Sequence, residues 1–249
     1  MPVRNEPSHR AEQVTQLLYG EKAMILKDNR EWALIRCAWD SYEGWCRLSQ
    51  LTEITAKEYK KPTKYISNTP VGKIIYEKGE LPLPAGSELV GMKSGVLKTK
   101  YDAGLFKGKK MEIGAAELSP ENLHKAIIQY LYAPYLWGGR TVAGIDCSGL
   151  TQMAYKPCNF PLLRDASQQA TQGTLVDFLE IAQCGDLAFF DNKEEKIVHV
   201  GMLLDYQTII HATETSGRVV QDRIDQGGII SVSLRKRTHN LRVVKRMIG

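Results

Sequence analysis

Short strand-like runs separated by turn residues fill the first half of the 249-residue chain, and they restrict that half to β-structure. Between residues 11 and 52, turn signals such as Tyr19-Gly20-Glu21 and Asp28-Asn29-Arg30 interrupt four such runs. The predicted strands are Gln13–Leu18, Lys22–Lys27, Trp32–Ala38 and Gly44–Leu48. Strands this short, with turns this frequent, predict a small barrel.

The β pattern continues to residue 117 and then becomes helical. The predicted strands of this second stretch, broken by glycine and proline, are Lys73–Tyr76, Glu88–Met92, Val96–Lys100 and Lys110–Ile113. Ser119 is a good N-cap and Pro120 suits the first helical position. An apolar stripe then runs through Leu123, Ile127, Ile128 and Leu131. We therefore predict three domains, at residues 1–56, 57–117 and 118–249.

Composition is that of an ordinary globular protein, with 43% hydrophobic and 24% charged residues. The 33 basic and 28 acidic residues give a net charge of only +5. The densest basic stretch, residues 235–246, alternates with apolar residues, which predicts the solvated face of a strand. A nucleic-acid-binding surface would carry more aromatic residues and a larger positive excess, so we expect no nucleic-acid partner.

No apolar run approaches the ~18 residues that a membrane span needs, so no membrane partner is expected. The segment Met1–Pro7 lacks the apolar region of a signal peptide, which favours a cytoplasmic protein and leaves open an exported protein without its leader. The five cysteines contain no CxxC pair and no zinc-type spacing. Cys37 and Cys46 flank a predicted hairpin, and their pairing in an oxidising compartment is left open.

A candidate nucleophile, Cys147, follows Gly144-Ile145-Asp146 and begins a predicted helix that Pro157 ends. Asp146 is well placed as the N-cap, so Cys147 lies in the first turn, where free N–H groups and the helix dipole favour an anion. This environment predicts a lowered thiol pKa and a reactive thiolate. A lone cysteine is more often a buried structural residue, and the histidines decide between the two interpretations.

Two of the five histidines fall in one predicted hairpin, formed by Lys196–Leu204 and Thr208–Thr213. His199 and His211 are twelve positions apart, so a loop centred near residue 205 places them opposite each other on one face. One imidazole can accept the thiol proton while the other holds its tautomer. Taken alone, the pair also fits two metal ligands, but no third or fourth ligand has suitable spacing. The remaining histidines, His9, His124 and His239, are predicted to be surface or satisfied residues.

The motifs of the last 130 or so residues resemble the NlpC/P60 cysteine peptidases in type and order. They are Tyr135 with Trp137-Gly138-Gly139, Asp146-Cys147-Ser148-Gly149-Leu150, Leu163-Arg164-Asp165-Ala166-Ser167-Gln168-Gln169, Gly185-Asp186-Leu187-Ala188-Phe189-Phe190 and His199-Val200-Gly201-Met202. The resemblance implies an α+β fold: a papain-like NlpC/P60 catalytic domain preceded by two small all-β SH3-like barrels. In such a domain a helix carrying the cysteine packs on a small antiparallel sheet carrying the histidine.

The resemblance also implies roles for individual residues. Cys147 would be the nucleophile, His199 the base and His211 the polar third residue, while Tyr135 and the Cys147 N–H would hold the oxyanion. Asp146 and Ser148 would contact the substrate. In the family members that recycle murein peptides, the first SH3-like domain closes the cleft, so that only a peptide with a free N-terminal L-Ala fits. The candidates for binding its ammonium are Glu12 and Tyr42, with Glu21 and Glu43 as alternatives.

The expected activity is hydrolysis of the bond between γ-D-glutamate and an L-diamino acid, either diaminopimelate or lysine. No metal or organic cofactor is implied, and a monomer is expected. One alternative is a D,L-endopeptidase that acts on intact peptidoglycan, with the β domains as wall anchors. Another is an inactive wall-binding protein, which the intact Cys147, His199 and His211 set argues against.

Overall fold

The computed structural model describes residues 1–99 and 102–248, and it divides the chain into two compact units, Met1–Ala115 and Ala116–Gly249. Two predicted boundaries, Lys100 at the end of a strand and Gly249 at the end of the last domain, lie outside the described residues. The predicted division of the first unit near residue 56 stays a prediction.

The first unit consists almost entirely of antiparallel strands. Their bounds are β1 (Pro2–Arg4), β2 (Gln13–Gln16), β3 (Ala23–Asp28), β4 (Trp32–Cys37), β5 (Glu43–Arg47), β6 (Tyr65–Ser67), β7 (Val71–Tyr76), β8 (Gly79–Pro84), β9 (Val96–Lys98), β10 (Ala103–Lys107) and β11 (Lys110–Glu112). The first sheet has the order β2-β1-β5-β4-β3, the second has the order β8-β7-β10-β9, and β6 pairs with β11. The short helix α1 (Ala56–Lys60) and a single turn at Leu48–Gln50 complete the unit.

Two predictions in this unit are wrong. Glu88–Met92 is not a strand, because its backbone N–H groups do not bond to one neighbouring strand: that of Glu88 donates to the carbonyl of Tyr19, and that of Leu89 to the carbonyl of Tyr65. That of Met92 closes a turn back to Leu89. Conversely, the predicted break at Gly104 lies within the strand β10, and the predicted breaks at Gly79, Pro82 and Pro84 lie within the strand β8. Strand β8 lies at the edge of its sheet, where a proline without an N–H group is tolerated.

The second unit combines helices with a larger sheet. Its helices are α2 (Pro120–Ile127), α3 (Cys147–Tyr155) and α4 (Ala166–Gln169), with single turns at Ile128–Tyr130, Lys156–Cys158, Leu179–Ile181 and Glu214–Ser216. Its strands are β12 (Arg140–Thr141), β13 (Gly144–Ile145), β14 (Thr174–Leu175), β15 (Leu187–Asp191), β16 (Ile197–Asp205), β17 (Thr208–Thr213), β18 (Arg218–Asp225), β19 (Gly228–Ser231) and β20 (Lys236–Arg246). An all-β first unit before an α+β second unit is the predicted fold class.

The sheet of the second unit closes on itself. Its order is β14-β20-β15-β16-β17-β18-β19, and β19 also pairs with β20, so that six strands form a closed antiparallel barrel with β14 at one edge. Its core includes Phe190, Leu203, Ile209 and Ile224. Helix α3 packs against β16 and β17. Closure leaves these six strands without free edges, which gives the site a rigid base.

The cysteine pair that the sequence left open does not form. Cys37 is at the end of β4, whereas Cys46 on β5 is opposite Ala33. Four residues of strand separate Ala33 from Cys37, roughly 13 Å, and a disulfide requires Cα atoms closer than about 7 Å. Neither cysteine is in a disulfide, and both are buried.

Among the helices of the described residues, none has the length and apolar character of a membrane span.

Candidate active site

Cys147 is the first residue of α3, as predicted. Asp146 precedes it with extended backbone (φ −97°) and its carboxylate accepts the N–H of Gly149 at 2.7 Å. Every residue of α3 is buried, and Cys147 is only 7% exposed. The capping side chain and the apolar surroundings therefore fix the position of the thiol.

The carboxylate of Asp146 has four strong donors. Gly138 N–H donates at 2.8 Å and Gly149 N–H at 2.7 Å, while the Arg164 guanidinium donates at 2.6 and 3.1 Å. Arg164 also donates to the hydroxyl of Ser148 at 2.7 Å. These bonds occupy the lone pairs of the carboxylate, so Asp146 holds the start of α3 in place. A substrate contact of Asp146 or Ser148 stays a prediction.

The glycines around Cys147 allow the backbone to approach closely. A Cβ atom added to Gly149 would lie 2.3 Å from the carbonyl oxygen of Gly139. The Trp137-Gly138-Gly139 segment therefore packs directly on the first turn of α3. On the other side, the amide of Gln169 accepts from Thr151 at 2.7 Å and donates to the carbonyl of Ser148 at 3.1 Å.

His199 and His211 meet on adjacent strands, but not in the predicted register. Met202 pairs with Ile210 and Leu203 with Ile209, so the continued register places Gly201 opposite His211. This pairing is centred at residue 206, one residue beyond the predicted centre, and a bulge lies between Leu203 and Asp205. The two histidines are still on the same face, as diagonal neighbours, and His199 Nε2 lies 2.8 Å from His211 Nδ1. Gly201 leaves room for this contact, because a Cβ there would lie 2.9 Å from that of His211.

Asp222, which was not predicted from the sequence, continues the chain of hydrogen bonds. Its Oδ2 lies 3.2 Å from His211 Nε2, and its Oδ1 accepts the N–H of Val232 at 2.7 Å. The carboxylate is buried on β18. A signal was present in the sequence, because Val220, Asp222 and Ile224 alternate with polar residues, which places an acid at an apolar position.

His239 also lies beside the two histidines, a position that was not predicted. It is half-buried and its Nδ1 lies 2.9 Å from Thr238 Oγ1, in keeping with its prediction as a surface or satisfied residue. Its ring stacks on that of His199, with centroids 4.2 Å apart and planes inclined by 22°. The ligand atoms of His199, His211 and His239 lie within 4.8 Å of one another. Two imidazoles that share one tetrahedral zinc have centroids roughly 5 Å apart, since the Zn–N bonds are about 2.0–2.1 Å. The closer, near-parallel stack does not direct its lone pairs toward one ion. His9 and His124 are exposed.

The predicted low pKa of the thiol is wrong. Burial, followed by the negative charge of Asp146, raises the pKa of Cys147 to about 12. The N–H groups of Val200 and Ser148 and the charge of Arg164 act in the opposite direction but are weaker. Burial, together with His211 and His239, lowers the pKa of His199 well below 6.5. The first-turn N–H groups do not outweigh desolvation, so burial favours the neutral form of both the thiol and the imidazole.

Burial raises the pKa of the Tyr135 phenol, and the nearby Cys147, when it is a thiolate, raises it further. The Tyr135 backbone N–H donates to Gly217 at 2.8 Å. Glu12 and Tyr42 belong to the first unit; Glu12 is exposed and accepts from Asn5 at 3.2 Å, and Tyr42 is half-buried. The carboxylates of the alternatives are engaged, Glu21 by the N–H of Leu18 and Glu43 by Arg36. Roles in substrate binding stay predictions for all of them.

Comparison with known proteins matches both units to families. Residues 132–238 match the NlpC/P60 family and residues 3–51 match the bacterial dipeptidyl-peptidase SH3 domain. The chain is 28% identical to the gamma-D-glutamyl-L-lysine dipeptidyl-peptidase of Bacillus subtilis over 217 residues, which is 81% of this chain and 72% of the other. It is 25% identical to dipeptidyl-peptidase 6 of Lysinibacillus sphaericus, covering 89% and 88% of the two chains.

Two further comparisons concern the catalytic unit and the whole fold. A probable endopeptidase of Haemophilus influenzae is 31% identical over 112 residues, which is 44% of this chain and 69% of the other. The crystal structure of an NlpC/P60 family protein from Bacillus cereus superposes with a TM-score of 0.80 at 21% identity, covering 95% of this chain and 83% of the other. Together with the Cys147 helix and the histidines of the barrel, these matches show that the chain belongs to the NlpC/P60 family of cysteine peptidases and carries a bacterial dipeptidyl-peptidase SH3 domain at its N-terminus.

Proposed function

We propose that the second unit hydrolyses amide bonds through a thioester intermediate, with Cys147 as nucleophile and His199 as base. His199 Nε2 is bonded to His211, so Nδ1 is the nitrogen left to accept the thiol proton. The sulfur attacks the carbonyl carbon while its proton moves to Nδ1, and the same proton then goes to the departing amine. Water, deprotonated by Nδ1, attacks the thioester and releases the acid and the free thiol.

The burial of Cys147 and His199 determines when charge appears during the reaction. Because burial disfavours both the thiolate and the imidazolium, the proton transfers as the sulfur attacks, when the substrate carbonyl takes up the negative charge. His211 assists as the third residue by fixing the ring of His199 through the 2.8 Å bond. This placement of a third polar group behind the base is the usual logic of cysteine and serine peptidase triads.

Two donors are proposed for the oxyanion. The Cys147 N–H is among the first four of α3, which have no partner within the helix. The Tyr135 hydroxyl is the second donor. Its raised pKa, caused first by burial, keeps the phenol protonated and therefore able to donate.

The proposed substrate is a murein peptide with a free N-terminal L-Ala, cut between γ-D-glutamate and the L-diamino acid. The observation that carries this choice is the match of residues 3–51 to the SH3 domain of bacterial dipeptidyl-peptidases, joined to the NlpC/P60 domain. A dipeptidyl-peptidase must recognise an amine two residues from the cleaved bond, and an acid such as Glu12, supported by Tyr42, is proposed for it. Recycling of such peptides fits a cytoplasmic monomer.

A second candidate is a D,L-endopeptidase that acts on intact peptidoglycan outside the cytoplasm. The match to a protein of Haemophilus influenzae that is named a probable endopeptidase favours it, although that match spans only 44% of this chain. A non-catalytic wall-binding protein is the least supported candidate, because the hydrogen-bonded His199 and His211 pair is retained beside Cys147.

Mass spectrometry of L-Ala-γ-D-Glu-diaminopimelate, its lysine analogue and their N-acetylated forms tests the proposal. Acetylation removes the charge and donors of the amine and strands an acid, which predicts a loss in kcat/KM on the order of 10²-fold or more. Cys147→Ala is the inactive control. Glu12→Gln, matched with Glu21→Gln and Glu43→Gln, identifies the acid. Equal cleavage of free and acetylated peptides would refute the recycling role and favour the endopeptidase.

A further inference from the structure

The proposed mechanism requires one tautomer of His199, and the contacts of Asp222 select it. We propose that Asp222 is a positioning residue that sets the tautomers of both His211 and His199 and so leaves Nδ1 of His199 free for the thiol proton. This inference rests on the proposed function, because it explains how the base is prepared. Asp222 touches neither substrate nor Cys147 in this scheme and acts through His211.

The tautomers follow from one end of the hydrogen-bond chain. An ionised carboxylate only accepts, so the bond between Asp222 Oδ2 and His211 Nε2 places a hydrogen on that nitrogen. A neutral His211 then has a lone pair on Nδ1, which accepts from His199 Nε2 at 2.8 Å. With its hydrogen on Nε2, His199 has its lone pair on Nδ1. Each assignment forces the next.

The surroundings of Asp222 keep it charged despite burial. The residue is 4% exposed, and desolvation opposes its ionisation. Hydrogen bonds from His211 and the Val232 N–H, with smaller contributions from the charges of His211 and His239, outweigh that cost and lower its pKa. Asp222 thus differs from a solvated acid, because its lone pairs are directed at two fixed donors on β17 and after β19.

An Asp222→Asn substitution should exchange donor and acceptor in each hydrogen bond from residue 222 through His211 to His199. Val232 N–H donates at 2.7 Å to Oδ1, so the amide oxygen must stay there and the amide NH₂ must face His211. That NH₂ is a donor, so His211 Nε2 must become the acceptor and Nδ1 must carry the hydrogen. His199 Nε2 must then accept, which moves its hydrogen to Nδ1. The nitrogen that should receive the thiol proton is blocked, while shape and packing are unchanged.

The experiment compares Asp222→Asn with Asp225→Asn, which makes the same chemical change three residues further along β18. Asp225 is exposed and pairs with Arg237, away from the histidines. We expect Asp222→Asn to lower kcat on the order of 10³- to 10⁴-fold with little change in KM, as a wrong tautomer does in serine peptidases. The control should stay within a few-fold of the wild type. A loss in Asp222→Asn below tenfold, with the melting temperature retained, would overturn the inference.

Nitrogen-15 NMR of the imidazoles gives a readout that a merely structural role would not move. In the wild-type protein at neutral pH, His199 and His211 should both show a protonated Nε2 and an unprotonated Nδ1, and Asp222→Asn should exchange them. A wild-type His211 protonated on Nδ1 would overturn the inference even if the variant did not fold. This readout needs no substrate. It therefore remains decisive if the wild type cleaves none of the peptides, an outcome that would count against the proposed function alone.

A double-mutant cycle separates tautomer control from loss of structure. In the His211→Ala background no imidazole connects Asp222 with His199. Adding Asp222→Asn should then cost less than about tenfold in kcat, although it costs far more alone. Additive losses would mean that Asp222 does not act through His211.

Discussion

The buried pair of Arg164 and Asp146 provides a test of how the start of α3 is held. The guanidinium bonds to both carboxylate oxygens at 2.6 and 3.1 Å, and the two side chains are 1% and 8% exposed. Arg164→Met preserves much of the length and apolar bulk of the side chain but removes the charge and all its donors. Asp146 then remains charged and buried, with the N–H groups of Gly138 and Gly149 and the more distant hydroxyl of Ser148 as donors.

The size of the effect follows from burial. Breaking a buried ion pair by removing one partner costs about 3–5 kcal/mol, because the other charge stays desolvated without compensation. For a unit of this size, a loss of that magnitude lowers Tm on the order of 10–20 °C. We expect the loss in unfolding free energy to depend more on the burial of the pair than on its hydrogen-bond lengths.

The chain contains a matched exposed pair for comparison. Arg237 bonds to both oxygens of Asp225 at 2.6 and 2.8 Å, with side chains 39% and 48% exposed. Urea unfolding and calorimetry of Arg164→Met and Arg237→Met should show a large loss for the first and a change near experimental error for the second, since solvent screens the exposed pair. Similar losses in both variants would refute the reasoning from burial.

The remaining predictions concern catalysis. Cys147→Ala and Cys147→Ser should lose on the order of 10³-fold or more in turnover at unchanged Tm, and residual activity near wild type would exclude the thioester route. His199→Ala should approach that loss, whereas His211→Asn, which can still accept from His199, should keep a measurable rate; the reverse order would contradict their assignment. The acid limb of kcat/KM should lie below pH 6.5, because the pKa of His199 is lowered and its base form persists until that pKa is reached; a limb at or above pH 6.5 would contradict the burial of the imidazole. His239→Phe should retain more activity than His239→Ala, because it preserves the ring stacked 4.2 Å from His199, and equal rates would show that the stack is dispensable.

Features that depend on neighbours in sequence could be predicted. Asp146 caps α3 and Ser119 caps α2 because a capping side chain needs only an N–H group three residues away. The prediction that His199 and His211 lie on the same face of the sheet is correct despite the error in register. Side chains alternate along a strand, so a shift of two residues in the pairing keeps them on one face. The catalytic motifs and the fold class were therefore accessible from the sequence.

Features that depend on distant segments were decided only by the tertiary structure. Closure of the barrel brings β18 and β20 close to the hairpin of β16 and β17. Asp222 and His239 therefore lie beside His199 and His211, the two histidines that the sequence predicted for the site. The direction of the Cys147 pKa shift was predicted wrongly for a related reason. The dipole of α3 is a local property, whereas desolvation depends on every atom packed around Cys147. Helix capping and strand alternation are set within a few residues, while burial and tautomer depend on atoms that folding brings from elsewhere in the chain.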